Sequence, residues 1–555
     1  MVKKIILIAL ICLGIFLRVY QFNSLPAGLF MDEVTMAVDT KTLVQNGTDQ
    51  YGNRFPFTFE DVTDFKLPVY VYLSAIMYKI FGPHVFTIRL VALLASVGSI
   101  FSLGYLTKLL FEKKKYLPLI AMGVISLSPF AIHFARIAYE TTLATFLLSL
   151  FLISLIKVFR GEKKLFWFII GSLMAVLSTY TYPGPRFTVP VFTFLLFLIS
   201  LFIGFEKQEK KQIIISLIGF LTVIILSFIP TLILSPVATS RSLNYLGMGV
   251  AGHGIAGVIS KISFVVSSWI RTWDLEFLFD KGDLFAYRAS TKEIGIFLSV
   301  FIVPYIVGLF YFFKNFRLRN FPLLFLGLFA LVAGLPSALT AAVPYSTRIT
   351  PLLFPLCIII ALGIEQLGIF LSKRNKKIQI IIAFVFGVIL IYQIALFSYI
   401  YFVHFKSTSQ PEFPQASIEV SQYLKGEMTK NPDKPIYFLN DTTCGPWTFD
   451  ALFLWYFADL PNQQMIKWNN TYRTARYNAK GMSPFDAFWK ITIPTGKIEN
   501  ITLFPGYKKS EGSGMFVRCG FHLQNINTKK EKIDRIFYLH EDIKTDPFYV
   551  VSETR

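Results

Sequence analysis

Apolar residues fall in long runs as far as about residue 400, separated by short polar clusters. A run of roughly 17 to 25 apolar residues crosses a hydrocarbon core about 30 Å thick as a helix. The pattern predicts eleven spans, near residues 4–20, 85–110, 116–134, 141–158, 165–181, 187–205, 212–234, 293–313, 321–339, 348–371 and 378–402. The first run follows Lys3-Lys4 as a secretory signal would, but no small-residue cleavage site follows, so it reads as a retained span.

The connections alternate in charge. Those after the even-numbered spans, 112–115, 157–164, 206–211, 314–319 and 373–377, are all short and basic. With eleven spans they share one side with Lys3-Lys4, and the positive-inside rule makes that side cytoplasmic. The expected protein is a multi-pass plasma (inner) membrane protein with a cytoplasmic N-terminus. The other face receives the loop 21–84, short loops at 136–140 and 182–186, the segment 236–292, the turn 341–348 and the tail.

Within the first loop, residues 34–44 read as a short helix entered by Asp32, which alone reads as its N-cap. Residues 68–81 read as an aromatic-rich helix too short to span, lying along the interface. From residue 405 the pattern is that of soluble sequence, with an amphipathic helix at 415–428 and strands at 435–439, 535–540 and 548–551. The expected fold class is an α-helical polytopic membrane protein with a small C-terminal extracytoplasmic α/β domain. Its boundaries are 1–404, including the external loop 21–84, and 405–555.

Composition agrees: 54% of the 555 residues are hydrophobic and 58 are Phe. The tail from residue 405 is nearly balanced, so the surplus behind the net charge of +20 lies in the membrane half, where it signals topology and not nucleic acid. Cys12 and Cys357 lie in apolar spans, while Cys444 and Cys519 fall in the tail, where the pattern leaves a disulfide open. The six His are scattered without metal-ligand spacing, and no zinc, haem or nucleotide motif is present.

The first loop carries an ordered set of short motifs: Pro26-Ala27-Gly28-Leu29, Asp32-Glu33, Gly47, Tyr51-Gly52, Pro56, Phe65-Lys66-Leu67-Pro68, Phe81-Gly82-Pro83 and Arg89-Leu90. Further along come His133-Phe134-Ala135-Arg136 running to Tyr139-Glu140, the segment 180–186, and Arg348-Ile349-Thr350-Pro351. This order and spacing resembles the polyprenyl-phosphate-sugar glycosyltransferases of the GT-C fold, the family of bacterial aminoarabinose transferases and protein O-mannosyltransferases. The resemblance covers the membrane half and fades in the tail. One departure is Leu67 between Lys66 and Pro68, where the family has two prolines.

The resemblance implies an inverting transfer of a monosaccharide from a polyprenyl-phosphate donor to a lipid, glycan or protein acceptor on the external membrane face. Phosphate leaves as a stable anion, so no general acid is required; a base must take the acceptor's proton. Asp32 matches the family's catalytic carboxylate and Glu140 its second acid, with Glu33 supporting the loop or acceptor site. Candidate cations for the donor phosphate are Lys66, Arg89, Arg136, Arg241 and Arg348, with snorkelling to lipid headgroups as the alternative for external basic residues. Tyr182 and Arg186 are candidates for the sugar or lipid pocket, or for an aromatic belt at the interface. No cofactor is expected; a divalent metal, used by some relatives, is not indicated. The alternative is a multi-span transporter or flippase of lipid-linked sugars, but neither paired repeats nor interrupted helices are found.

Overall fold

The computed structural model describes residues 2–61, 65–202, 207–230, 254–284, 286–340, 344–409, 412–440, 447–478, 496–505, 513–520, 526, 530–540 and 545–554. Each of the eleven apolar runs carries helix. Among the described residues six helices are long and apolar enough to cross a membrane: Val85–Leu110, Glu140–Phe159, Pro183–Phe202, Phe321–Ala338, Ser346–Ser372 and Lys376–Thr408. Leu117–Ser126, Lys164–Thr179, Lys211–Ser227 and Ser299–Asn315 are shorter apolar helices. The last long helix leaves Ile380, Phe384 and Ile391 about two-thirds exposed, at 67%, 70% and 69%. Such a face needs an apolar solvent. The chain is an integral membrane protein.

The run expected at 116–134 is two helices, Leu117–Ser126 and Pro129–Phe134. Pro129 disfavours helix at Ser128, and the Ser128 hydroxyl instead caps the second helix by accepting the Ala131 N–H at 3.2 Å. The carbonyls at the end of the first helix are taken by the buried Arg18, whose guanidinium donates to Ile125 O at 3.0 Å and Ser126 O at 2.8 Å.

By its contacts the chain separates into two compact units, Met1–Phe22 with Arg89–Val403 and Asn23–Ile88 with His404–Arg555. The sequence reading kept the first loop with the spans; contacts group it with the tail. The reason is a helix that the reading missed, Trp447–Phe457. Apolar apart from Thr448 and Asp450, it buries Ala451, Leu452, Phe453, Leu454, Trp455 and Tyr456, and packs against both the first-loop helix Met31–Asn46 and the tail helix Gln415–Lys430. Gly28 adds a second join: a Cβ there would sit 2.6 Å from the Pro414 carbonyl carbon.

The tail carries a mixed six-stranded sheet. Its strands are β3 Ile436–Asn440, β4 Gly496–Ile498, β5 Ile501–Pro505, β6 Met515–Cys519, β7 Glu531–His540 and β8 Thr545–Thr554, in the order β4-β5-β3-β6-β8-β7. β3 is parallel to both neighbours and the outer pairs are antiparallel. Cys519 is disulfide-bonded, Cys12 and Cys357 are free, and Cys444 lies outside the described residues.

Candidate active site

Two clusters of chemistry-bearing side chains stand out, one in each unit. The first is built on the Met31–Asn46 helix. Its N-cap is Phe30, not Asp32, which is the second helical residue. Glu33, fully buried, accepts the Phe30 N–H at 3.3 Å, the glutamate half of a capping box. That turns Glu33 into the backbone and leaves Asp32 as the acid with an outlet: its side chain is 28% exposed.

Lys66 reaches Asp32 from a two-stranded antiparallel ribbon, β1 Phe59–Glu60 and β2 Phe65–Lys66. Its ammonium lies 3.3 Å from Asp32 and 3.5 Å from Asp61, which is buried. The sequence reading placed Lys66 at the donor phosphate; the structure sets it between two acids. Asp61 was missed, because a single acid next to a strand carries no signal of its own.

The second cluster lies in the membrane unit. Glu140 opens the Glu140–Phe159 helix, where the dipole favours an acid, and is buried at 5% exposure. Tyr182 has Thr347, Arg348, Glu140 and Tyr345 as its electrostatic neighbours, with Thr347 hydrogen-bonded to its hydroxyl. Burial pushes that phenol up to about 12, so it is a neutral hydrogen-bonding group at any physiological pH. Arg348 stacks over Tyr345 at 4.8 Å and donates to Thr340 O at 3.3 Å. Its short helix, Ser346–Ile349, is held by the buried Asp283, which accepts the Ser346 N–H at 2.9 Å. Asp283 was also missed, since nothing in the loop around it marks it.

No family model and no curated protein matches the chain. Solved structures do. ArnT from Cupriavidus metallidurans in the apo state aligns with 99% of this chain and 97% of its own, at a TM-score of 0.52 and 10% identity. The same protein bound to undecaprenyl phosphate gives the same coverage and TM-score at 11% identity. The Archaeoglobus fulgidus oligosaccharyltransferase tethered to an acceptor peptide matches over 82% of this chain at a TM-score of 0.50 and 13% identity; this chain covers 63% of that one. This chain has the GT-C fold.

Of the other residues expected to be functional, Arg136 and Arg186 meet backbone carbonyls. Arg136 is fully buried and donates to the carbonyls of Leu17, Arg18, Tyr20 and Gln21 at 2.7–3.2 Å, closing the end of the Val2–Val19 helix. Tyr401 and Phe402 cover its faces. With both terminal nitrogens on backbone oxygens, it is a helix cap. Arg186 lies inside the Pro183–Phe202 helix, which Pro183 starts earlier than expected, and donates to Thr179 O at 3.1 Å. Arg89 is fully buried, an electrostatic neighbour of Arg136 and His133. Arg241 lies outside the described residues. Among the described residues no three His, Cys, Asp or Glu side chains are placed to hold a metal ion.

Proposed function

We propose that the protein is an inverting glycosyltransferase that moves a monosaccharide from a polyprenyl-phosphate carrier to an acceptor on the external face of the membrane. Asp32 takes the proton from the acceptor hydroxyl or amine as that atom attacks the anomeric carbon. The bond from that carbon to the phosphate oxygen breaks, and polyprenyl phosphate leaves with the electron pair. One displacement inverts the configuration.

The observation that carries the reading is the Asp32 group: a partly exposed carboxylate with an ammonium 3.3 Å away, in the first loop of a GT-C fold. Lys66 orients Asp32, and Asp61 holds Lys66. Glu33 supports the loop. Within the membrane unit, Arg348, with Tyr182 and Glu140 in its polar cluster, is the candidate to bind a lipid phosphate. Undecaprenyl phosphate in ArnT supports a lipid phosphate as the donor's leaving group.

The test is the stereochemical course. Purified protein in lipid is supplied with a polyprenyl-phosphate monosaccharide of known anomeric configuration, and the product's anomeric proton is read by NMR. The opposite configuration, with one polyprenyl phosphate released per transfer, supports the reading; retention overturns it.

A further inference from the structure

At the far end of the Met31–Asn46 helix from Asp32, the Asn23–Ile88 and His404–Arg555 unit holds an open cavity of about 750 Å³. Gln45 and Asn46, the last helical residues, line it; at 1.5 Å rise per residue they stand about 20 Å from Asp32. The facing wall is the turn after the Trp447–Phe457 helix and the start of the Asn462–Tyr477 helix, with Gln463 and Gln464.

The walls are tied together in advance. Asn462 donates to Gln45 Oε1 at 2.8 Å and accepts from Trp455 Nε1 at 2.8 Å. Lys41, buried, reaches Trp455 O at 2.7 Å and Asp459 at 2.7 Å. The Asp459 charge is thereby answered, leaving Arg54 as the cavity's one cation without an ion pair among the described residues. A single exposed arginine is too little charge for a polyphosphate or nucleic acid.

The cavity is instead rich in side-chain amides. Each offers donors and an acceptor in one plane, the combination that meets hydroxyl groups, which also do both. Among the described residues the Asn46 and Gln463 side chains make no hydrogen bond, and Gln464 uses only its oxygen, toward the Glu499 N–H at 2.9 Å. Next to Arg54, Phe55 is 69% exposed and held at φ 40°. Its ring rests on Gly47, at φ 68°, where a Cβ would lie 3.0 Å from the ring. A left-handed aromatic is strained backbone, and here the ring meets Gly47, between the cavity-lining Asn46 and Thr48, by its tip and is otherwise exposed. An exposed ring at the rim of an amide-lined cavity suits a pyranose, apolar on one face and hydroxylated at its edge.

We propose that this cavity is a saccharide-binding site for an uncharged or singly anionic oligosaccharide. It uses none of the transfer machinery and stands independently of the transferase reading. The test is saturation-transfer NMR on the full-length protein in nanodiscs, with maltotetraose, mannotetraose and chitotetraose as probes and an uncharged hexapeptide as the competing class. Parent, Phe55→Ala, Gln463→Ala and Asp32→Asn are compared. The expected result is transfer to at least one tetrasaccharide, about tenfold weaker in both cavity variants, the loss of one ring contact or hydrogen bond, and unchanged in Asp32→Asn. Both variants alter exposed side chains, and an unchanged Tm shows that they fold. No transfer to any of the three, equal transfer in either cavity variant, or binding of the hexapeptide alone overturns the proposal. Loss of transferase activity in Asp32→Asn leaves this readout untouched, so the two readings fail separately.

Discussion

Lys66 holds Asp32 at 3.3 Å while Asp61, buried behind it, holds the same ammonium at 3.5 Å. One lysine thus connects a partly exposed acid to an enclosed one, and the position of the proposed base depends on that relay. Lys66→Met leaves Asp32 without its nearest cation. The expected outcome is a fall in kcat of about 10²-fold with a smaller change in KM, because a base displaced by about an ångström loses that much. Asp61→Asn, which keeps an acceptor for the ammonium, falls less. Steady-state kinetics of both variants check the order, and a rise in KM alone would instead place Lys66 at the donor phosphate.

Asp283 accepts the Ser346 N–H at the start of the short helix that carries Arg348. In Asp283→Ala that buried N–H loses its acceptor, a cost of about 1–3 kcal/mol at the turn. The expected result is weaker binding of polyprenyl phosphate, read as a raised KM for the donor, with Asp283→Asn retaining most of the affinity. Equal donor KM in parent and Ala variant would dissociate the turn from donor binding.

Arg136 is expected to behave as a structural residue. Arg136→Met orphans carbonyls at the end of the Val2–Val19 helix, each worth about 1–3 kcal/mol if left unsatisfied. Thermal unfolding in detergent should shift downward by the same amount with and without added polyprenyl phosphate. A shift seen only with the lipid present would restore the phosphate-binding role.

Asp39 gives the loop-and-tail unit a pH signature. Burial, then the nearby Asp49 charge, raises its carboxyl well above the usual 3.8, although it accepts the Gln50 N–H at 2.8 Å. A carboxyl raised on folding binds its proton more tightly in the folded state, so its contribution is full below pH 3.8 and is lost as pH rises through the folded value. The Tm of Asp39→Asn minus that of the parent should therefore grow as pH is raised from 3.8 toward neutrality. A difference that shrinks over that window has the wrong sign.

Much of this architecture was legible in the sequence because lipid makes apolar run length a direct measure of a helix. The Pro68–Phe81 helix and the strands around β3, β7 and β8 followed the same way from periodicity. The site was legible only in part. Asp32 and Lys66 were found by their motifs, and the structure pairs them. The basic residues were harder to place because a buried guanidinium answers to any oxygen: Arg136 and Arg186, expected at a phosphate or a pocket, meet helix-end carbonyls that no sequence pattern marks. Asp61 and Asp283 went unseen because each matters through one distant partner. The Trp447–Phe457 helix was hidden because a helix apolar apart from Thr448 and Asp450 has little periodicity to detect.

The most direct measurement compares Asp32→Asn with Glu33→Gln in reconstituted lipid, using a panel of radiolabelled polyprenyl-phosphate monosaccharides and a membrane extract as acceptor source. Gln at position 33 keeps an oxygen for the Phe30 N–H, whereas Asn at position 32 has no proton affinity to offer. The expected result is donor turnover lowered about 10²–10⁴-fold in Asp32→Asn and close to parental in Glu33→Gln. Parental turnover in Asp32→Asn would contradict the assignment of Asp32 as the base.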